Sequence, residues 1–136
     1  MRSGGETKYL LDTSAVLTLL EDEAGAERVE EIIKSENAIV PFLVLLEAYY
    51  ISLQEVGEAV ADRRYALLKQ LPVKFIAEVS EPVLLTAARF KAQHHLSLAD
   101  ALIAAFAARN RAVLVHKDPE FEPLSPWVKQ EPLPYK

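Results

Sequence analysis

Four acidic side chains stand where charge is least expected. Asp12 is the only charged residue between Tyr9 and Leu20, Glu47 the only one between Ala38 and Gln54, and Asp100 the only one between Leu96 and Ala108. Asp118 follows closely on the apolar run Val113-Leu114-Val115. A carboxylate held among apolar neighbours is costly unless it finds a partner or a shared cation, and the first three segments contain no basic residue to supply one. Glu47 is the clearest case, because its helical neighbours three and four positions away are Leu43, Val44, Tyr50 and Ile51. With no cysteine in the chain, such a group offers oxygen ligands, the chemistry that suits a hard divalent ion such as Mg²⁺ or Mn²⁺.

Three of the acids also have a local structural use. Ser97-x-x-Asp100 fits a capping box, Asp12 or Thr13 can cap the helix that follows, and Asp118-Pro119 is an ordinary turn signal. Glu47 has no comparable alternative, since a mid-helix acid on an apolar face is uncommon. Their recurrence together favours a shared cation over separate local roles.

Bringing these acids together is the task of the intervening elements. Lys8–Leu11 reads as a strand, and beyond Asp12-Thr13-Ser14 the spacing of Val16, Leu17, Leu19 and Leu20 turns helical. An amphipathic helix is expected over Ala24–Glu36, then a strand at Ala38–Val40. An apolar helix over Phe42–Val56 is broken at Gly57, and a further helix spans Glu58–Leu71. Val73–Val79 alternates as a strand, Ser80-Glu81-Pro82 opens a helix running to about His95, and Ser97 opens another that ends at Asn110. Ala112–Val115 is the last expected strand. Strands alternating with helices imply an α/β protein with a parallel sheet covered on both sides. In such sheets ligands bind beyond the carboxyl ends of strands, where Asp12 and Asp118 fall. From Pro119 on, prolines at 119, 123, 126, 132 and 134 predict an extended tail without regular structure, anchored by Trp127.

A chain of 136 residues, 51% hydrophobic, suits one compact domain. Lack of cysteine excludes disulfides and thiolate zinc sites and suits the cytoplasm. No apolar stretch approaches the ~20 residues of a membrane span, and Met1–Thr7, without a signal-peptide core, is expected to be a flexible N-terminal arm. A net charge of −5 argues against a broad basic surface for nucleic acid. If the four acids meet on a cation, however, the remainder is nearly neutral, and Arg63, Arg64, Lys69, Arg109, Arg111 and Lys117 could then make local phosphate contacts. His94-His95 reads as a solvated helix end.

Four blocks carry a resemblance: Tyr9-Leu10-Leu11-Asp12-Thr13-Ser14-Ala15-Val16-Leu17; Glu47 in its apolar helix; Leu96-Ser97-Leu98-Ala99-Asp100-Ala101-Leu102-Ile103-Ala104-Ala105; and Val113-Leu114-Val115-His116-Lys117-Asp118-Pro119-Glu120-Phe121. In this order they resemble a PIN domain, specifically the VapC-type toxins of toxin–antitoxin pairs. The resemblance implies a three-layer α/β/α sandwich with a central, mainly parallel sheet, formed by a single PIN-like domain over residues 1–136 with 119–136 as its C-terminal tail. It also implies Mg²⁺- or Mn²⁺-dependent endoribonuclease activity on RNA through a metal-activated water, homodimerisation, and inhibition by a cognate antitoxin. On this reading Asp12, Asp100 and Asp118 are direct ligands, and Glu47 completes the cage or holds a water. Ser14 matches the family's polar position after the first Asp. His116 either orients the site or packs at the strand end. The family usually carries Thr or Ser where His116 stands and a second Asp where Glu120 stands. Two other readings remain: an inert scaffold or RNA-binding module of the same fold, and a Mg²⁺-dependent phosphatase. A phosphatase would want an acid two residues after Asp12, where Ser14 stands.

Overall fold

The computed structural model describes residues 6–136, so residues 1–5 of the expected N-terminal arm lie outside the described residues. The apolar run at the start forms β1 (Tyr9–Leu11), followed by α1 (Thr13–Leu20), α2 (Ala26–Lys34) and β2 (Ala38–Pro41). A helical hairpin, α3 (Phe42–Val56) and α4 (Glu58–Lys69), turns at Gly57, whose φ of +87° is open to glycine and strained for other residues. Then come β3 (Lys74–Ile76), α5 (Glu81–Gln93), α6 (Leu98–Arg109) and β4 (Val113–His116). Ser80 and Ser97 cap α5 and α6 through their hydroxyls, as their sequence positions anticipate.

Among the described residues five strands form one sheet in the order β3-β2-β1-β4-β5, and every pairing is parallel. Central β1 pairs with both β2 and β4, and the chain reverses its direction of growth across the sheet at that point. Right-handed crossovers therefore place the helices before β3 and those after it on opposite faces, giving the three-layer α/β/α sandwich. The central strands are buried on both faces, which is why Leu10, Leu11, Ile39, Val40, Leu114 and Val115 read as unbroken apolar runs. Alanines 101, 104, 105 and 107 are buried along α6, and their small side chains let that helix lie close to the sheet and to α5.

The C-terminal segment corrects the expectation of a structureless tail. Pro119–Leu124 forms a 3-10 turn, and β5 (Gln130–Pro132) pairs with β4 in the register Leu114↔Gln130, Val115↔Glu131 and His116↔Pro132. Proline is compatible here because β5 is an edge strand, with a neighbour on one side only. Phe121, Leu124, Val128 and Leu133 bury their side chains and join the core, so these four anchor the segment. Trp127, expected to be the anchor, is instead 56% exposed.

Candidate metal centre

The order of the sheet creates the site. A topological switch point falls between β1 and β4, and Asp12 and Asp118 follow the carboxyl ends of those two strands. Asp100 enters from the first turn of α6 and Glu47 from α3, two helices on opposite faces of the sheet that touch only locally. Oxygen atoms of Asp100, Asp118 and Glu120 all lie within 4.8 Å of one another. Asp12 and Glu47 are not part of that tight set, but the charges of Asp100 and Asp118 act on Asp12, and that of Glu47 acts on Asp100. The four acids singled out in the sequence are thus brought to one edge of the sheet.

Each acid is held by hydrogen bonds traceable to its local sequence. Asp12 caps α1, accepting the Ala15 N–H on Oδ1 at 2.8 Å. The Ser14 hydroxyl lies 2.7 and 2.9 Å from its two carboxylate oxygens. Thr13 donates its hydroxyl to Oε1 of Glu47 at 2.6 Å, tying α1 to α3. The Asp100 N–H donates to Ser97 Oγ at 3.0 Å, the serine half of the capping box. Asp118 Oδ1 accepts the Glu120 N–H at 2.9 Å and opens the 3-10 turn that carries Glu120. The cap anticipated for Asp12 and the turn anticipated at Asp118-Pro119 therefore coexist with the place of both residues in the acidic group, and these local bonds fix where each side chain sits.

His116 is fully buried and its two ring nitrogens have opposite partners. Nδ1 accepts the Asp118 N–H at 3.0 Å, and Nε2 donates to Oε1 of Gln130 at 2.8 Å, while the Gln130 amide donates to the Phe121 carbonyl at 2.8 Å. This pattern requires a neutral ring, and burial lowers the His116 pKa in agreement. The ring packs on Phe121 and Tyr135, the strand-end packing considered for it, and its Nδ1 bonds the backbone of Asp118.

Sequence reasoning left Glu120 out of the acidic group and missed Thr13 as the partner of Glu47. Glu120 had a signal, its place two residues after Asp118 where the resembled family usually carries a second Asp, but within Pro-Glu-Phe-Glu-Pro it does not stand out as a lone charge in an apolar segment. Thr13 had none, since its contact crosses 34 positions of sequence. Lys117, considered for phosphate contact, is instead turned inward with Nζ 3.4 Å from Glu23 and a side chain 4% exposed. Arg64 is likewise committed to Glu21 and Ser52, and Lys69 lies over the Phe75 ring.

Electrostatics make the group a receptor for positive charge. Burial is the main cause that pushes Asp12 up to about 7, against the Ser14 and Ala15 hydrogen bonds, with Asp100 and Asp118 adding repulsion. Burial and then the charges of Asp118 and Glu47 raise Asp100 to about 6, eased by Ser97. Among the described residues none of the five acids is ion-paired with a lysine or arginine. An all-carboxylate donor set, crowded and without a counter-charge, fits a hard divalent cation.

A family model described as the PIN domain matches residues 9–125. No curated protein sequence is significantly similar to the chain. Among solved structures, VapBC2 from Rickettsia felis bound to a promoter DNA fragment matches with a TM-score of 0.77 at 16% identity, covering 94% of this chain and 100% of that one. VapBC-1 from nontypeable Haemophilus influenzae matches with a TM-score of 0.71 at 21% identity, covering 93% and 98%. VapC20 from Mycobacterium tuberculosis, a toxin that cleaves the sarcin–ricin loop, matches with a TM-score of 0.69 at 16% identity, covering 86% and 95%. At these identities the likeness is one of fold.

Proposed function

The chain belongs to the PIN domain family, and from that premise we propose that it is a divalent-metal-dependent endoribonuclease, the toxin of a toxin–antitoxin pair. The observation that carries the reading is the meeting of Asp100, Asp118 and Glu120 within 4.8 Å, beside an Asp12 raised to about 7, at the carboxyl edge of a parallel sheet. Asp12, Asp100 and Asp118, with Glu120, would hold Mg²⁺ or Mn²⁺. When bound, such an ion supplies the positive charge that makes water a competent nucleophile at neutral pH and stabilises charge developing on a phosphodiester.

The chain's own groups divide the remaining work. Thr13 occupies Oε1 of Glu47, so Oε2 is the oxygen left to complete the cage or to orient a water for attack. Ser14 keeps the Asp12 carboxylate in place, and His116 holds the Asp118 backbone, so that both acids are positioned before an ion arrives. The structural neighbours, several of them VapBC assemblies, support a cognate antitoxin as partner, and homodimerisation is proposed with it on the family resemblance alone. An RNA substrate and an antitoxin made by the same cell imply a cytoplasmic protein, and among the described residues no helix is long and apolar enough to cross a membrane.

The test is cleavage of single-stranded RNA by the purified chain with Mg²⁺ or Mn²⁺ and with chelator. The proposal expects cutting that depends on the ion. An inert scaffold or RNA-binding module of the same fold would cut under neither condition.

A further inference from the structure

Along α5, from Glu81 to His94, lies an open groove of about 740 Å³ whose lining includes Arg89, Phe90, His94, Arg109 and Trp127. It is distinct from the acidic centre: Asp100 stands in the first turn of α6 and Arg109 is its last residue, nine positions or about 14 Å further along the axis. Three features set it apart from ordinary surface. Trp127 remains 56% exposed even though its ring packs against His94, with centroids 5.5 Å apart and nearly perpendicular planes, and against Phe90 at 6.4 Å. The indole is therefore held in a fixed orientation while most of it stays open to solvent. Secondly, the side chains of Arg89 and Arg109 have no hydrogen-bond or ion-pair partner among the described residues; Arg63 and Arg111 are equally uncommitted but do not line this groove. Thirdly, in a chain of net charge −5, a single acid, Glu81, lines this groove.

A preset aromatic platform beside two uncommitted guanidinium groups is the combination that binds single-stranded nucleic acid without reading its sequence: bases stack on the ring and phosphates pair with arginine. We propose that this groove is an accessory site for single-stranded RNA, in which Trp127 stacks a base and Arg89 and Arg109 contact phosphates. This rests on the nuclease reading for its choice of RNA as ligand. It gives an acidic protein a local means of holding a polyanion, with a strand engaged at Asp100 reaching the groove over the outer surface, since α6 itself is largely buried between Ala101 and Ala107. The ligand is the substrate strand a few nucleotides away from the scissile bond.

Trp127 is the only tryptophan in the chain, so its fluorescence reports on this groove and on the smaller adjoining one lined by Arg111 and Lys129, which the arginine variants below tell apart. Titrating the full chain in chelator with an oligouridylate of about ten nucleotides is expected to quench that emission saturably. Arg89→Gln with Arg109→Gln should weaken binding and flatten the salt dependence of log K by about 1.4, at about 0.7 per lost phosphate contact. Trp127→Ala, followed by fluorescence anisotropy of labelled RNA, should bind about fivefold to a hundredfold more weakly, while Trp127→Phe retains binding. All of these side chains are exposed, so the variants keep the core intact. With Mn²⁺ present, the same variants should raise KM for long RNA and leave kcat unchanged. Quenching that is absent, or equal in the double arginine variant, would overturn the proposal. So would quenching by an acidic peptide of matched charge at the same concentration as by RNA. Binding without any metal-dependent cleavage leaves the groove standing and removes the nuclease reading, whereas cleavage whose KM ignores Trp127, Arg89 and Arg109 removes the groove alone.

Discussion

The hydroxyl of Ser14 accepts the backbone N–H of Lys117 at 2.8 Å while directing its own hydrogen at the Asp12 carboxylate. One side chain thus fastens the turn after β1 to the turn after β4, and the distance between the acids that follow those strands is set by it. Ser14→Ala leaves the Lys117 N–H without its acceptor and removes the hydroxyl that opposes the burial of Asp12. The expected result is a loss of about 1 to 3 kcal/mol of stability by denaturant unfolding. Weaker Mn²⁺ binding by calorimetry should accompany it.

Burial and neighbouring acids raise Asp12 from 3.8 to about 7, and this makes stability depend on pH in a defined direction. Between those values the folded chain keeps a proton that the unfolded chain releases, so the contribution is complete below 3.8, declines as pH rises, and is gone above about 7. Asp100, raised to about 6, acts in the same sense over a narrower window. In chelator, the wild type should lose stability relative to Asp12→Asn as pH is taken from 5 to about 8, measured by denaturant midpoints. A difference that stays constant over that range would remove the electrostatic description of the site. Saturating Mn²⁺ should restore the wild type at the upper end.

His116 offers a separation of packing from positioning. Its Nδ1 accepts the Asp118 N–H at 3.0 Å, a task a hydroxyl at the same place can also perform. Thr and Val have nearly the same shape, so His116→Thr and His116→Val should lose similar amounts of core packing, about 2 to 4 kcal/mol. Mn²⁺ affinity should fall further in the valine variant, because it alone has nothing to hold the Asp118 loop. Equal affinities in the two would reduce His116 to a packing residue.

The sheet and its helices were legible because each segment has one dominant period. α3 spans Phe42–Val56, the bounds its apolar run and Gly57 indicate, and β1, β2 and β4 match their apolar stretches. β5 was illegible because Gln130-Glu131-Pro132 has no apolar pattern; its pairing comes from β4, and edge position excuses the proline. The same contrast governs the site. Asp12, Glu47 and Asp100 are conspicuous as single charges in apolar segments, whereas Glu120 sits in Pro-Glu-Phe-Glu-Pro, where an acid looks ordinary. Thr13 became meaningful only when folding placed Glu47 at 2.6 Å from it.

Glu120 should behave as a ligand rather than a structural residue. It is exposed, so Glu120→Gln is expected to change stability by less than about 0.5 kcal/mol. Removing its charge from the trio should weaken Mn²⁺ binding by about tenfold or more in a calorimetric titration. Unchanged affinity would leave Asp12 rather than Glu120 as the third ligand beside Asp100 and Asp118.

The most direct measurement is thermal melting of the wild type and Asp100→Asn at neutral pH, with and without Mn²⁺, beside an RNA cleavage assay on the same samples. Without metal, Asp100→Asn should melt higher than the wild type, since one repelling charge is gone from beside Asp118 and Glu47. With Mn²⁺ at about a hundred times its dissociation constant the wild type should gain about 2.7 kcal/mol, a gain the variant largely forgoes together with RNA cleavage. An Asp100→Asn protein that keeps both the Mn²⁺ shift and the cutting would contradict the metal centre described here.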